Sequence, residues 1–487
     1  MTDLAITLGL FAAHAAAISI LLLYERRQPA ATLAWLLTLA LLPGIGLVAY
    51  LLIGTTRFRR AVRHSELAAR RIRGVRERLE VQRKLDPDAT NTAVEPRTRA
   101  LIDLGAALSS TPASPANRVR LLVDGAATYR AILRAIDAAT HHVHVEFYII
   151  QPDASGHSLR ERLIRAARRG VEVRVIFDAV GSSRLPHDYF AELVAEGGQV
   201  AAFRPVLRVL RRLLALFRQR DRIDFRNHRK IVVVDGRVSF TGGINIGREY
   251  LGLDPEMGRW RDTHVEIEGP ATLSLQSAFA EDWFLATGHT LDGDAHFPEP
   301  QCFEPGALVQ VVDSGPDSKW SPIEMMYASA IVGARTRIWI TNPYFVPSPT
   351  IETALIGAAL RGVDVRLLVP ARSDNLIVQL ASRSYFPRLL EAGARIYRYR
   401  RGFVHAKTMV VDTWAATVGS ANMDMRSFQL NFELNPFLVD PRFAKTLADE
   451  FETDIANAEE LTLADLGRDN LAVRFLSAVA RLFSPLL

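Results

Sequence analysis

Two stretches of the chain carry the same spaced set of reactive side chains. The first is Asn227-His228-Arg229-Lys230, running on through Ile231-Val232-Val233-Val234 to Asp235. The second is Val404-His405-Ala406-Lys407, running on through Thr408-Met409-Val410-Val411 to Asp412. Each is followed at the same distance by a glycine and then an asparagine, in Gly242-Gly243-Ile244-Asn245 and Gly419-Ser420-Ala421-Asn422. One His-x-Lys is usually a surface pair. Two copies with matched downstream spacing are not explained that way. The residues after each lysine are strand-like, and side chains two apart on a strand share a face. His228 and Lys230 should therefore point together, as should His405 and Lys407, with Arg229 and Ala406 pointing away. Two imidazoles and two ammoniums around one point suit a phosphodiester. No His/Cys set with ligand spacing accompanies them, so no metal and no cofactor is expected. One imidazole can attack phosphorus, forming a phosphohistidine, while the other protonates the departing alkoxide. Lys230, Lys407, Asn245 and Asn422, with Ser420 beside the latter, would hold the non-bridging oxygens and the charge that develops on them.

Asp235 and Asp412 complete the spelling of the motif and count with its reactive set. Each lies seven residues after its histidine, on the opposite strand parity, and Asp235 precedes a glycine. A strand end entering a turn fits that position, so holding structure is the expected role. Each imidazole then needs an orienting carboxylate from elsewhere. In the second half the expected residue is Glu433, in Asn431-Phe432-Glu433. In the first half it is Asp262, which opens the strand-like Thr263–Ile267, preferred over Glu256.

The elements around these residues repeat as well. In the first half, helix is expected over Ala126–Thr140 and Ser158–Arg169, and strand over Val143–Ile150 and Val171–Asp178. In the second half the helices are Ile323–Ala334 and Thr350–Arg361, and the strands Arg337–Thr341 and Val363–Pro370. The words Arg169-Gly170-Val171-Glu172-Val173-Arg174-Val175 and Arg361-Gly362-Val363-Asp364-Val365-Arg366-Leu367 match nearly residue for residue. Helix–strand alternation predicts an α/β fold of two pseudo-symmetric halves, each a mixed, mostly parallel sheet flanked by helices. Gly170 and Gly362 are 192 residues apart but His228 and His405 only 177, so the first half carries 15 extra residues between those points. The excess falls near Arg204–Arg222, where Val206, Leu207, Val209, Leu210, Leu213, Leu214, Leu216 and Phe217 form an apolar face, with Arg208, Arg211, Arg212 and Arg218 on or beside the other. That pattern predicts a basic amphipathic helix in a membrane interface. Val473–Phe483, with Arg474 and Arg481, is a milder version and equally fits a docked terminal helix.

The 487 residues are long enough for several cored domains, and 49% of them are hydrophobic, so most of the chain should fold. The net charge of +6 comes with arginines grouped before residue 80 and around 204–230, which suits an anionic partner. The single cysteine, Cys302, excludes an internal disulfide. Leu4–Tyr24 and Thr32–Ile53 contain no Asp, Glu, Lys or Arg. Each is close to the roughly 20 apolar residues that cross a bilayer, so a hairpin of two spans is expected. The arginines between 57 and 73 outnumber Arg26 and Arg27 of the connection, which places the N-terminus and the large domain in the cytosol. The expected layout is a hairpin at 1–56, a basic helix and linker at 57–95, and halves at 100–300 and 301–487.

The duplicated His-x-Lys-x4-Asp with its Gly-Gly/Ser-x-Asn resembles the signature of the phospholipase D superfamily. Within it, the chain resembles the bacterial cardiolipin synthases. Arg26-Arg27-Gln28-Pro29, Ala34-Trp35-Leu36-Leu37, Leu42-Pro43-Gly44-Ile45-Gly46, Trp260-Arg261-Asp262-Thr263-His264, Asn342-Pro343-Tyr344-Phe345-Val346-Pro347 and Ser484-Pro485-Leu486-Leu487 carry that likeness. The resemblance implies a phospholipase D-like fold and a metal-free transfer between two phosphatidylglycerols, giving cardiolipin and glycerol. It implies His228 as nucleophile and His405 as acid. Phosphatidylglycerol and other anionic phospholipids are then the partners, the bacterial inner membrane is the location, and no nucleic acid is involved. A hydrolase releasing phosphatidic acid, or a transferase using another alcohol, differs only in what attacks the phosphohistidine. A nuclease would leave the two apolar spans without a purpose, and an inert lipid-binding protein would leave both complete motifs without one.

Overall fold

The computed structural model describes residues 29–42, 44–50, 96–109, 111–203, 225–291 and 293–486, with 9, 11, 12, 14–16, 18 and 19 of the N-terminal stretch. The expected basic helix at 57–85 and the amphipathic stretch at 204–222 lie outside the described residues.

The first half contributes β1 (Ser114–Val123), β2 (His142–Phe147), β3 (Glu172–Asp178), β4 (Gln199–Phe203), β5 (Arg226–Asn227), β6 (Ile231–Val234), β7 (Val238–Gly242), β8 (Trp260–Arg261) and β9 (Thr263–Glu268). The second contributes β10 (Ala307–Ser314), β11 (Arg337–Thr341), β12 (Asp364–Pro370), β13 (Arg395–Tyr399), β14 (Phe403–Val404), β15 (Thr408–Val411), β16 (Ala415–Val418), β17 (Asn431–Val439) and β18 (Ala458–Leu461). They join in the order β18-β13-β12-β11-β15-β16-β17-β10-β1-β9-β7-β6-β2-β3-β4. Read outwards from the antiparallel β1–β10 seam, the two sides repeat one another as far as β13 and β4, and β18 extends the second side beyond the match. The internal duplication of the sequence is thus a pseudo-dyad of one mixed sheet.

The repeated helix–strand words form as expected. Helices Ala154–Arg168 and Pro349–Leu360 both stop at a glycine of positive φ, +86° at Gly170 and +83° at Gly362. In each, the glycine N–H and the next N–H turn back onto the last turn of the helix, from Gly170 to Ala167 and Val171 to Ala166, and from Gly362 to Ala359 and Val363 to Ala358. Only glycine takes that left-handed position without a Cβ penalty, and the chain leaves it directly into a strand.

The expectation of a mostly parallel sheet is corrected. Along that order β2–β3, β3–β4, β11–β12 and β12–β13 pair in parallel. The other neighbours in that order are antiparallel. A parallel pair needs a crossover helix, and helices alternate with strands only in the first part of each half. Beyond each His-x-Lys the chain turns at Asp235-Gly236 or after Asp412 and returns as a hairpin.

The core is layered on both faces. On β6 and its neighbours, Val232 and Val234 join Val143, Val145, Val173 and Val175 under helices Asp124–Ala138 and Ala154–Arg168. Ile231 and Val233 face the other way, against helix Ala271–Thr287. A strand buried on both faces explains the uninterrupted apolar run after Lys230. Helix Ala271–Thr287 also packs on β10, and its counterpart Pro441–Ile455 on β1, so one cluster of buried residues spans both halves.

At the N-terminus, Pro29–Leu41 and Ile45–Ala49 are separate helices, with Gly44 at φ +85° between them. The ring of His14 lies 2.5 Å from the Leu39 carbonyl, and Trp35 meets Tyr50 edge to face at 5.4 Å. Among the described residues no helix is long and apolar enough to cross a membrane.

Candidate active site

The two His-x-Lys segments are positioned by short parallel pairings that cross from one half to the other. β5, which leads into His228, pairs with the start of β17, with Asn227 opposite Phe432. β14, which leads into His405, pairs with β8, with Val404 opposite Arg261. Backbone hydrogen bonds continue the register, from the His228 N–H to the Phe432 carbonyl at 2.9 Å and from the His405 N–H to the Arg261 carbonyl at 2.7 Å. One residue further on, each histidine stands beside a carboxylate of the opposite half.

His228 Nδ1 lies 2.9 Å and 3.1 Å from the two oxygens of Glu433. His405 Nδ1 lies 2.7 Å from Asp262 Oδ2. The structure therefore brings together both carboxylates picked out in the sequence but exchanges their partners. The expectation that Glu433 serves His405, and Asp262 serves His228, is corrected by the crossed pairing. A carboxylate on Nδ1 holds the ring and leaves Nε2 as the outward nitrogen. Glu256 has no part in this, since its N–H caps a turn at Asp254.

Lys230 and Lys407 are both fully buried. Lys230 Nζ donates to the His228 carbonyl at 2.6 Å, and Lys407 Nζ lies 2.9 Å from both ring nitrogens of His405. Burial lowers Lys230 to about 7 against the pull of Glu433, with Lys407 adding to the fall. Burial likewise lowers Lys407 to about 8 against the pull of Asp262 and Glu433. The imidazoles fall to about 4, chiefly by burial, opposed at His228 by Glu433 and reinforced at His405 by Lys407. Burial on its own would raise the carboxylates. His228 and Lys230 outweigh it and bring Glu433 to about 2, and Lys407 with His405 brings Asp262 below its usual range. Burial thus works against charge on both imidazoles and both lysines, and the two carboxylates oppose it.

Asp235 and Asp412 sit apart from this group. Asp235 accepts from the backbone N–H groups of Thr140, His141 and His142 and from the Thr140 hydroxyl, at 2.8–2.9 Å. Asp412 takes the same position against Arg335, Thr336 and Arg337, at 2.7–3.2 Å. Both have positive φ, +54° and +49°. These contacts fit the structural role expected of them: they tie each hairpin to the start of a neighbouring strand.

The two copies differ in detail. Asn245 is committed at both ends, its oxygen to the Ile149 N–H at 3.1 Å and its nitrogen to the Tyr250 hydroxyl at 2.8 Å. The oxygen of Asn422 is buried with no hydrogen-bond partner. Ser420 donates to Glu433 at 2.5 Å. At the matching Gly243 a Cβ would stand 2.1 Å from Asp262 Oδ1, so no side chain fits there. Arg229 points away from His228, as its parity requires. It pairs with Asp282 at 2.7 Å and donates to the Glu433 carbonyl at 3.1 Å, bracing the strand that carries that carboxylate.

Several groups at the site had no signal in the motif spacing. The Tyr148 ring packs against His228, and Trp260, Tyr250, Phe403 and Tyr344 surround His405, at ring distances of 4.9–6.1 Å. Tyr344 in turn donates to Asp374 at 2.7 Å. Aromatic residues have no fixed offset from the His-x-Lys words, and only the assembled sheet places them.

Comparison with known proteins agrees with this architecture. Residues 132–283 and 327–455 match the family described as cardiolipin synthase, PLD-like domain, and residues 12–54 match the phospholipase D-nuclease N-terminal family. A cardiolipin synthase of Geobacillus thermodenitrificans is 42% identical over 95% of this chain and 90% of its own. One from Halalkalibacterium halodurans is 39% identical over 96% and 92%. Among solved structures, phosphatidylserine synthase of Haemophilus influenzae superposes with a TM-score of 0.60 at 15% identity, over 80% of this chain and all of that one, a likeness of fold. The chain belongs to the cardiolipin synthase family of proteins with phospholipase D-like domains.

Proposed function

We propose that this protein is a membrane-bound phosphatidyltransferase that joins two phosphatidylglycerol molecules into cardiolipin and releases glycerol. The observation that carries the reading is the crossed pair of imidazole–carboxylate contacts, His228 with Glu433 and His405 with Asp262, over two buried lysines. His228 Nε2 attacks the phosphorus of one phosphatidylglycerol. The bond to its headgroup glycerol breaks, and the imidazolium of His405 gives that oxygen a proton. His405, now neutral, takes the proton from a glycerol hydroxyl of the second phosphatidylglycerol. That oxygen attacks the phosphohistidine, frees His228 and forms cardiolipin.

Charge balance supports two different roles for two similar rings. Lys230 and Lys407 stand against the charge of Glu433 and Asp262, and burial disfavours charge on both imidazoles. A phosphodiester adds one negative charge, and in a water-poor site that charge favours one added proton. One ring is then an acid and the other remains a nucleophile. The lysines meet the charge on the non-bridging oxygens.

The two stretches without charge, Leu4–Tyr24 and Thr32–Ile53, and the N-terminal family match support membrane anchoring. We place them as a hairpin with the catalytic halves on the cytosolic side, and the inserted 204–222 stretch in the interface. Holding the site at the lipid surface favours a lipid hydroxyl over water at the phosphohistidine. Membranes carrying the protein, given labelled phosphatidylglycerol, are expected to yield cardiolipin and free glycerol in equal amounts. Phosphatidic acid as the main product would replace this reading with a hydrolase.

A further inference from the structure

Near the C-terminus one helix is built the wrong way round for a globular protein. In Leu471–Leu482 the buried residues are Ser477 and Ala480, while Leu471, Phe475 and Leu482 are 81%, 68% and 78% exposed. These three recur at i, i+4 and i+11 and so share one face. Leu476 and Phe483 widen the same outer surface and are also exposed. The charges of the helix are Arg474 and Arg481, and it contains no acid. A surface helix would ordinarily turn that face inward. Apolar side chains held in water gain free energy on leaving it, so the face invites an apolar partner.

The location selects the partner. The helix packs on Leu376–Arg383, whose first residues Leu376 and Ile377 are exposed as well. Two residues earlier stands Asp374, the acceptor of the Tyr344 hydroxyl, and Tyr344 lies against His405. Across His405, Tyr250 is followed by the exposed Leu251 and Leu253. Exposed apolar residues thus approach the His405 side of the site from both halves. Arg481 lies over Tyr385 and 3.9 Å from Glu352, while Arg474 borders the apolar face and complements anionic headgroups.

We propose that the outer face of Leu471–Leu482, continued by Leu376 and Ile377, rests on the surface of an anionic phospholipid bilayer and holds the His405 side of the site at the headgroups. This rests on the reading that the substrates are membrane lipids, and it names which part of the chain meets them. It assigns the contact to the second half, in addition to any anchor at the N-terminus.

The test uses the full chain in vesicles of phosphatidylcholine and phosphatidylglycerol. In a Cys302→Ser background, Phe475→Cys carries an environment-sensitive fluorophore, and Lys445→Cys, on an exposed position of helix Pro441–Ile455, carries the same one as a control. The probe at 475 is expected to be quenched by acyl-chain nitroxide lipids and shielded from aqueous iodide, the probe at 445 the reverse. Full iodide access at 475 would overturn the proposal. So would shielding without nitroxide quenching, because a protein surface and not lipid would then cover the helix. Phe475→Asp with Leu482→Asp is expected to lower turnover of vesicle phosphatidylglycerol several-fold while sparing a monodisperse short-chain substrate. Equal loss on both would count against it. Adding His228→Ala to the labelled chain removes turnover without changing the quenching, so failure of the reaction scheme and failure of the docking surface give separate results.

Discussion

At the scale of single residues, the site is defined by which carboxylate reaches which ring. Glu433 and Asp262 each belong to one half and act on the histidine of the other. Replacing Glu433 with Gln keeps the shape of the contact but lets the wrong tautomer of His228 prevail. Steady-state kinetics on phosphatidylglycerol vesicles should show kcat down by roughly 10²- to 10⁴-fold, with little change in the apparent affinity for lipid. Asp262→Asn should act on His405, slowing protonation of the leaving oxygen more than binding. A loss confined to affinity in either variant would remove the orienting role. The lysines set the pH dependence. Their charged forms serve the reaction, and burial places Lys230 at about 7 and Lys407 at about 8. A pH profile of kcat/KM should therefore fall as pH rises through this range. A profile flat to pH 9 would mean that neither ammonium is needed.

At the scale of elements, the motif is a strand with a lead-in and a turn. The lead-in pairs across the dyad, the strand buries both faces, and the turn is held by an aspartate. Asp235→Ala would leave the N–H groups of Thr140, His141 and His142 without their acceptor. The Thr140 contact is exposed and those of His141 and His142 are partly buried, so water replaces part of the loss and a fall of about 1 kcal/mol is expected in chemical denaturation. The reacting groups would be displaced only indirectly. An Asp235 variant of full stability that lacked activity would instead make the aspartate a direct participant. The inserted stretch is a second element with its own prediction. Leu213→Asp with Leu214→Asp should raise the ratio of phosphatidic acid to cardiolipin, or abolish turnover, if that stretch excludes water by lying in the interface. Product analysis showing an unchanged ratio and rate would remove that role.

At the scale of the whole molecule, the two halves form one catalytic unit. Neither half holds a complete imidazole–carboxylate pair, and the helices Ala271–Thr287 and Pro441–Ile455 pack across the seam. The buried site also ties stability to pH in the direction opposite to activity. Lys230 and Lys407 have folded pKa values below their usual 10.5, so between about 7 and 10 the unfolded chain binds more protons and stability rises with pH. The histidines act with the same sign at lower pH, because both fall to about 4 from 6.5 and folding loses stability as pH drops through that window. Thermal unfolding in detergent should thus show Tm rising from pH 7 to 9, the range in which turnover falls. A falling Tm there would mean that the lysines are less buried than the structure has them.

Much of this was legible in order along the chain. The duplication, the His-x-Lys pairs and their shared strand face follow from side-chain periodicity, which needs no tertiary information. So do the repeated helices and strands, whose ends differ from expectation by a residue or a few, and the reading of Asp235 as a turn residue. Glu433 and Asp262 could be chosen as carboxylates opening strands after the motif, yet their partners could not. Proximity in sequence favours a carboxylate of the same half, and only the cross-dyad pairings of β5 with β17 and β8 with β14 reverse that choice. The antiparallel majority of the sheet likewise depends on hairpins that local alternation does not reveal. The aromatic walls around His228 and His405, and the outward apolar face of Leu471–Leu482, arise from which surfaces happen to be covered. Coverage is a property of the assembled molecule: it is set by long-range packing, and a linear pattern records only which residues are available for it.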